Sequence, residues 1–193
     1  MNPPTKKSFI LASRSPRRKQ LLTEHGYNFT IIPSSIDESK FPEDITPIEH
    51  AKILALEKAK DIAKNHPASL VMGADTIADF NGQIIGKPEN KKHAEQILKK
   101  LFSQPHKIIT AIALVKIDSN LQLVETETTT VFPKPMTPAQ LKQYLDSEKW
   151  KGKAGAYGIQ DTNDKFIEKI EGSYTNVMGL PIELTKKLLD KYL

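Results

Sequence analysis

The first residues whose types and spacing could do chemistry lie at 11–18, which read LASRSPRR. An apolar run precedes them and an amphipathic pattern follows, so we expect a strand, a turn and a helix. Ser15-Pro16 suits the N-cap and first position of that helix. Ser13, Arg17 and Arg18 would then lie at a helix N-terminus, where free amides attract anions and arginine matches phosphate oxygens. The stretch predicts either a phosphate-binding cradle or a capped helix with solvated arginines.

Carboxylates that could hold a cation follow two predicted strands. Asp37-Glu38 leaves the strand predicted at 28–32, and Asp75 follows the apolar run at 69–72. Paired acids can bind a hard cation, but acids in loops are more often simply solvated. An acid at the end of a buried strand is a typical place for chemistry, because strand ends line the crevice of an α/β sheet. We therefore expect Asp75 to be functional and leave both interpretations of Glu38 open.

Two lysines and a glutamine complete the candidate side chains. Lys58 lies on a predicted amphipathic helix, where it could face a cleft or extend from the edge of the apolar face. Lys87 stands in a Gly-Lys-Pro turn after a predicted hairpin at Asn81-Gly82, which suits a fixed charge facing Asp75. Gln160 lies in a glycine-rich stretch, and its amide can both donate to and accept from the edge of a nucleobase.

The elements that must position these side chains alternate between strands and amphipathic helices. Capping boxes at 46–49 and 137–140 predict two helix starts, and a last helix is predicted over 182–192. A long hairpin is predicted from 107 to 132, and the glycine-bounded segment 172–181 is predicted as a loop. Strands interleaved with helices are typical of an α/β protein.

Composition and charge narrow the class of protein. The 193 residues, 38% hydrophobic and 26% charged, fit one globular domain over 1–193. Cysteine is absent, which excludes disulfides and thiolate metal sites, and the five scattered histidines are expected at the surface. The net charge of +5 suits a polyanionic ligand, but the lysines are spread out and aromatic residues make up 7%, which argues against nucleic-acid binding. Without a signal-peptide core or a membrane-length apolar run, we expect a soluble cytoplasmic protein with no membrane partner.

Several separated motifs follow one another along nearly the whole chain: LASRSPRR at 11–18, Glu38, Lys58-Ala59, GADT at 73–76, GKP at 86–88, KAGAYGIQ at 153–160 and GLP at 179–181. In this order they resemble the Maf family of nucleoside triphosphate pyrophosphatases, once called septum formation inhibitors. The KAGAYGIQ segment resembles the branch that prefers dTTP and UTP, and it differs from the branch that acts on 7-methyl-GTP. The chain departs from the family at Gln104 and Asp161, where glycine is usual.

The resemblance implies a mixed α/β fold, in which helices flank a twisted sheet and a central cleft separates two lobes. It implies hydrolysis of dTTP and UTP between the α and β phosphates, with Mg²⁺ or Mn²⁺ as the cofactor and a homodimer as the assembly. The catalytic residues implied are Asp75 as general base, Lys58, Lys87 and Arg18. The substrate-binding residues implied are Ser13, Arg17, Arg18, Thr76 and Gln160. The metal ligands implied are Glu38 and Asp75.

The sequence leaves three other functions open. The chain could be a nucleotide-binding regulator of cell division that acts through partners. It could also be a Maf-type enzyme with a different base preference, for a modified or purine nucleotide. Removal of non-standard pyrimidine nucleotides is a further role that the same chemistry would serve.

Overall fold

The centre of the fold is one mixed β-sheet flanked by helices. The computed structural model describes residues 8–38, 45–161 and 166–193. Over these residues the strands are β1 (Phe9–Leu11), β2 (Phe29–Ile31), β3 (Val71–Phe80), β4 (Gln83–Ile85), β5 (His106–Lys116), β6 (Leu121–Pro133) and β7 (Ile167–Glu171). The helices are α1 (Pro16–Glu24), α2 (Pro47–Ala63), α3 (Lys91–Leu101), α4 (Pro138–Asp146), α5 (Tyr174–Met178) and α6 (Ile182–Tyr192).

The strand order explains why the sheet is mixed. The strands lie in the order β2-β1-β3-β5-β6-β7, and the short β4 pairs with the far end of β3. β1 is parallel to both β2 and β3, whereas the remaining pairs are antiparallel. The α/β architecture expected from the sequence is therefore confirmed, with helices on both faces of the sheet.

Apolar side chains alternate along the strands and build two separate clusters. Met72 and Ala74 of β3 belong to the cluster that also contains side chains of α1, α3, α4 and α6. Val71 and Ile77 belong to the cluster that packs against the alanine-rich face of α2. Among the described residues, no helix has the length and apolarity needed to cross a bilayer.

Local sequence signals decide where most elements begin and end. The Ser15 side chain accepts a hydrogen bond from Arg18 N, and both predicted capping boxes form at the starts of α2 and α4. Asn81 and Gly82 both have positive φ in the tight turn between β3 and β4. These predictions are confirmed because a cap or a two-residue turn depends on neighbours in the chain.

Three expectations about the elements are wrong. β3 does not end before Asp75 but continues to Phe80, so Asp75 lies in the middle of a strand. The segment predicted as a loop at 172–181 contains α5, whose start is capped by Ser173. His50 and His106 are buried rather than at the surface, with 9% and 3% of their surface exposed. In each case packing against distant elements overrides the local signal.

Candidate active site

A cavity of about 440 Å³ opens beside the parallel end of the sheet. Its walls come from the β1–α1 connection at 12–18, the segment at 34–36 after β2, and residues 177–179 at the end of α5. Eight of the nine side chains singled out in the sequence line it: Ser13, Arg17, Arg18, Glu38, Lys58, Asp75, Thr76 and Lys87. Residues from five different parts of the chain thus meet in one place.

Lys58 is the centre of the charged cluster in this cavity. Its Nζ lies 2.7 Å from Asp75 Oδ1 and 2.8 Å from Glu38 Oε1, so one ammonium bridges two carboxylates. Lys58 and Asp75 are both buried, whereas the Glu38 side chain is 44% exposed. Lys87 Nζ lies 3.5 Å from Glu38 Oε2, so the ion pair of Lys87 is with Glu38 rather than with Asp75, which it was expected to face.

The two lysines determine the ionisation of Glu38. Burial by itself would raise the pKa of the Glu38 carboxyl, but the charges and hydrogen bonds of Lys58 and Lys87 together outweigh it. The pKa therefore lies below its ordinary value. Glu38 is consequently a carboxylate at neutral pH, as a ligand for a cation must be.

Gly73 allows α2 to approach β3 closely enough for this contact. A Cβ at Gly73 would lie 2.1 Å from the Ala55 carbonyl oxygen and 2.8 Å from Ala59 N, which is too close for any side chain. Gly73 and Asp75 are two residues apart in β3 and so face the same side of the sheet, toward α2. The glycine that the sequence predicted as a strand end instead brings Lys58 within reach of Asp75.

Arg18 is buried, and most of its N–H groups donate hydrogen bonds to other residues of the protein. Its Nε donates to the Gly179 carbonyl at 2.9 Å, and its Nη1 donates to the Ala74 carbonyl at 2.8 Å and to Ser13 Oγ at 3.1 Å. Its Nη2 donates to Thr76 Oγ1 at 3.0 Å. Four of the five N–H groups of a guanidinium are thus engaged, and Arg18 ties the β1–α1 connection to β3 and to the end of α5.

Ser13 and Arg17 are the other members of the predicted cradle. Ser13 is buried, and its Oγ also accepts a hydrogen bond from Ser15 N at 3.2 Å. Arg17 is half-buried, and burial lowers the pKa of its guanidinium while Tyr144 acts in the opposite direction. Ser13 therefore shapes the turn before α1, and Arg17 extends from the same turn into the cavity wall.

Thr76 belongs to a buried polar network behind the cavity. Its Oγ1 lies 2.9 Å from Thr110 Oγ1 and donates to the Gly179 carbonyl at 3.3 Å. Thr110 in turn donates to the Asn176 carbonyl, and Asn176 Nδ2 donates to Thr129 Oγ1. The network fixes α5 against β5 and β6, which is why the short helix forms in a segment that looked like a loop.

Gln160 is placed differently from the other predicted residues. It lies in the 3₁₀ turn Ile159–Asp161 and does not line the cavity. Its Oε1 is buried and accepts no hydrogen bond from any residue in the described part of the chain. A buried amide oxygen without a partner is costly, so this side chain has an unused capacity to bind a donor.

Sequence reasoning missed several residues around the site. Tyr157 lines the cavity, and its hydroxyl lies 2.7 Å from Nε2 of the buried His106. Asp61 of α2 holds the segment after β2, because its Oδ2 accepts from Ser34 Oγ at 3.0 Å and from Ser35 N at 2.9 Å. Nothing in the sequence indicates either the contacts of Asp61 with Ser34 and Ser35 or the burial of His106.

A second cavity, of about 700 Å³, adjoins the first across the charged cluster. It is lined by the β3–β4 hairpin and by His50, and it shares Glu38, Asp75 and Lys87 with the first cavity. The buried Nδ1 of His50 forms no hydrogen bond with any of the described residues. The carboxylates therefore separate two chambers and can be reached from both.

The solved structures establish the class of fold. The Staphylococcus aureus Ham1 protein superimposes on this chain with a TM-score of 0.53, covering 95% of this chain and 98% of its own, at 15% sequence identity. At that identity the similarity concerns the fold alone. The described residues thus share the α/β fold of the Ham1 protein.

The family follows from the sequence comparisons. A family model described as Maf-like protein matches residues 8–192, and the chain belongs to this family. A dTTP/UTP pyrophosphatase of Elusimicrobium minutum is 42% identical over 183 residues, covering 95% of this chain and 97% of its own. Proteins with the same name from Ruminiclostridium cellulolyticum and Bdellovibrio bacteriovorus are 38% and 39% identical and cover 96% and 97% of this chain. The matched regions span 96% and 100% of those two proteins. The family predicted from the motifs is therefore confirmed.

Proposed function

We propose that this chain hydrolyses nucleoside triphosphates, preferably dTTP and UTP, to the nucleoside monophosphate and pyrophosphate. The observation that carries the proposal is the pairing of Glu38 and Asp75 around Lys58 inside a cavity lined by cations. The names of the relatives support the reaction and the bases. A single catalytic domain over 1–193, assembled as a homodimer, is part of this proposal.

The cavity has the charges that a triphosphate needs. Arg17 and Lys87 extend into its wall, and the first turn of α1 presents amide N–H groups at the same place. Arg18 contributes its charge from behind, since its donors are mostly engaged with the protein. Cleavage between the α and β phosphates places negative charge on the leaving pyrophosphate, and such preorganised cations stabilise it in the transition state.

Asp75 is the residue to which we assign the role of general base, accepting a proton from the attacking water. It is buried in the middle of β3, and before metal binds the contact of Oδ1 with Lys58 Nζ fixes the orientation of the carboxylate. A carboxylate has a second oxygen, which can take the proton. General-base catalysis of this kind contributes about 10²–10⁴-fold to a rate.

The donor set of the cluster fits Mg²⁺ or Mn²⁺. Glu38 and Asp75 offer oxygen ligands, and their two oxygens are close enough to contact one ammonium. Within the described residues there is no group of three or more acidic, His or Cys side chains around one point. Water and phosphate oxygens would complete the shell, as is usual for Mg²⁺. When bound, such an ion supplies positive charge to the phosphate oxygens and to the attacking water.

The base preference is proposed to depend on Arg17, Thr76 and Gln160. The buried, unpartnered Oε1 of Gln160 supports a role in accepting a hydrogen bond from the N3–H of a pyrimidine, once the side chain turns to the cavity. We expect Gln160→Ala to reduce the preference for dTTP and UTP over purine nucleotides. Unchanged selectivity would assign base recognition to the backbone or to the other two residues.

The experiment is pyrophosphate release from a panel of nucleoside triphosphates with Mg²⁺, with Mn²⁺ and with a chelator. We expect metal-dependent release from dTTP and UTP and a loss of about 10²–10⁴-fold in Asp75→Asn. Asp79→Asn is the matched control, since it makes the same change on the same strand where the carboxylate accepts from Gly82 N in the turn. Binding without release from any nucleotide would overturn the proposal in favour of a regulatory role.

A further inference from the structure

The ammonium group of Lys58 lies between the two carboxylates of Glu38 and Asp75. Lys58 Nζ contacts one oxygen of Glu38 and one of Asp75 at 2.8 and 2.7 Å. An ion that used both carboxylates would have to contact the same two side chains, with oxygens at about 2.0–2.1 Å for Mg²⁺. Because the ammonium already contacts one oxygen of each carboxylate and would repel a divalent cation bound to the same two groups, the ammonium and such an ion compete for these carboxylates.

We propose that Lys58 is the resident cation of the free site and sets its affinity for divalent metal, because its ammonium must withdraw before the metal can bind. The inference rests on the proposed function only in taking Glu38 and Asp75 as metal ligands. It assigns Lys58 a role that precedes any contact with the substrate.

The surroundings of Lys58 explain why the ammonium stays in place without metal. Two carboxylates this close would repel each other if nothing lay between them, and Asp75 has 6% of its surface exposed. Within the described part of the chain, Lys87 Nζ forms an ion pair with Glu38, 3.5 Å from Oε2, and does not bridge the two carboxylates. The bridging ammonium offsets the repulsion between the two carboxylates and fixes their orientation.

The same surroundings allow Lys58 to leave. Its four-carbon side chain rises from α2 into the cavity, and its head group is held by charges rather than by a rigid fork of hydrogen bonds. Phosphate oxygens entering the cavity would offer the displaced ammonium new partners. Metal and nucleotide should therefore bind with positive coupling, each more tightly in the presence of the other.

The test is Mn²⁺ binding measured by calorimetry without nucleotide. We expect Lys58→Met to bind Mn²⁺ on the order of tenfold more tightly than the unsubstituted protein, because a like charge is removed at contact distance. The control is Lys60→Met on the same helix, which removes an equal charge from a surface pair with Glu57 and should leave the affinity unchanged. Glu38→Gln added to Lys58→Met should abolish the gain.

Binding by Lys58→Met that is equal to or weaker than that of the unsubstituted protein would overturn the inference. If this variant does not fold, the lysine ammonium signals of the unsubstituted protein decide by NMR. Titration with Mg²⁺ should shift the Lys58 signal and leave that of Lys60 in place. A Lys58 signal that stays unchanged while the ion binds would overturn the inference. Neither measurement involves turnover, so a protein without pyrophosphatase activity could still confirm the role of Lys58.

Discussion

Arg18 and Lys58 are the two cations buried in the candidate active site, and each has 8% of its surface exposed. Their partners are of opposite kinds. Lys58 contacts two carboxylates. Arg18 donates to neutral oxygens, which are the carbonyls of Ala74 and Gly179 and the hydroxyls of Ser13 and Thr76.

This difference indicates that Arg18 is a structural cation, whereas Lys58 is one whose partners can be exchanged. Neutral acceptors satisfy the donors of Arg18, and no carboxylate among the described residues forms an ion pair with it, so a positive potential persists beside the cavity. Carboxylates cancel the charge of Lys58, and other cations or anions can replace either member of that cluster. Arg18 therefore joins three chain segments permanently, whereas Lys58 occupies its place until ligands arrive.

The largest expected effect tests Arg18 as part of the framework. Arg18→Met would leave four buried or half-buried acceptors without their donor, so the free energy of unfolding should fall by about 3 kcal/mol or more. Urea denaturation measures it. Arg14→Met, on the exposed part of the same connection, should change stability by less than about 0.5 kcal/mol. Equal stability of both variants would show that Arg18 is as exchangeable as Lys58.

The next expected effect concerns His106, a buried group that, unlike the guanidinium of Arg18, can become neutral by losing a proton. Burial lowers the pKa of His106 to about 4 from an ordinary 6.5, so the folded protein keeps this imidazole neutral. The unfolded chain takes up the proton first as the pH falls. Stability should therefore decline between about pH 6.5 and 4, by up to about 3 kcal/mol.

Urea denaturation across this pH range, with His106→Gln beside the unsubstituted protein, measures the contribution. The stability difference between the two should shrink as the pH falls, because the variant has no imidazole to protonate. His25→Gln, at an exposed position, is the control for a His-to-Gln change outside the core. A pH-independent difference would assign the acid sensitivity to other groups.

The smallest expected effect concerns Asp61, which holds the segment that leads to Glu38, one of the two carboxylates around Lys58. Asp61 anchors Ser34 and Ser35, and Glu38 follows three residues later. Asp61→Asn should lower stability by about 1 kcal/mol. It should also weaken Mn²⁺ binding several-fold, since Glu38 is held less firmly.

Lys64→Met is the matched control for this effect. It removes the ion pair on Asp61 Oδ1 but keeps the hydrogen bonds of Oδ2 to the loop. Its Mn²⁺ affinity should remain that of the unsubstituted protein. If Lys64→Met weakens binding as much as Asp61→Asn does, the ion pair rather than the loop anchor positions Glu38.

Much of the fold could be predicted because its signals are local. The capping boxes before α2 and α4 and the turn at Asn81-Gly82 involve residues within three positions of one another, so the sequence contains the whole interaction. The charged residues of the site were also predictable as a set, from their types and from their order along the chain. Eight of these side chains line one cavity in the structure.

The sequence by itself determined the element types, the family and the candidate side chains of this protein. The tertiary structure alone decided what each charge contacts: Lys58 lies between two carboxylates, Lys87 pairs with Glu38, and Arg18 faces neutral oxygens. It also decided that β3 continues through Gly73, because α2 packs directly on that residue. Such contacts join residues far apart in the chain, and their energies depend on distance and burial, which no local pattern specifies.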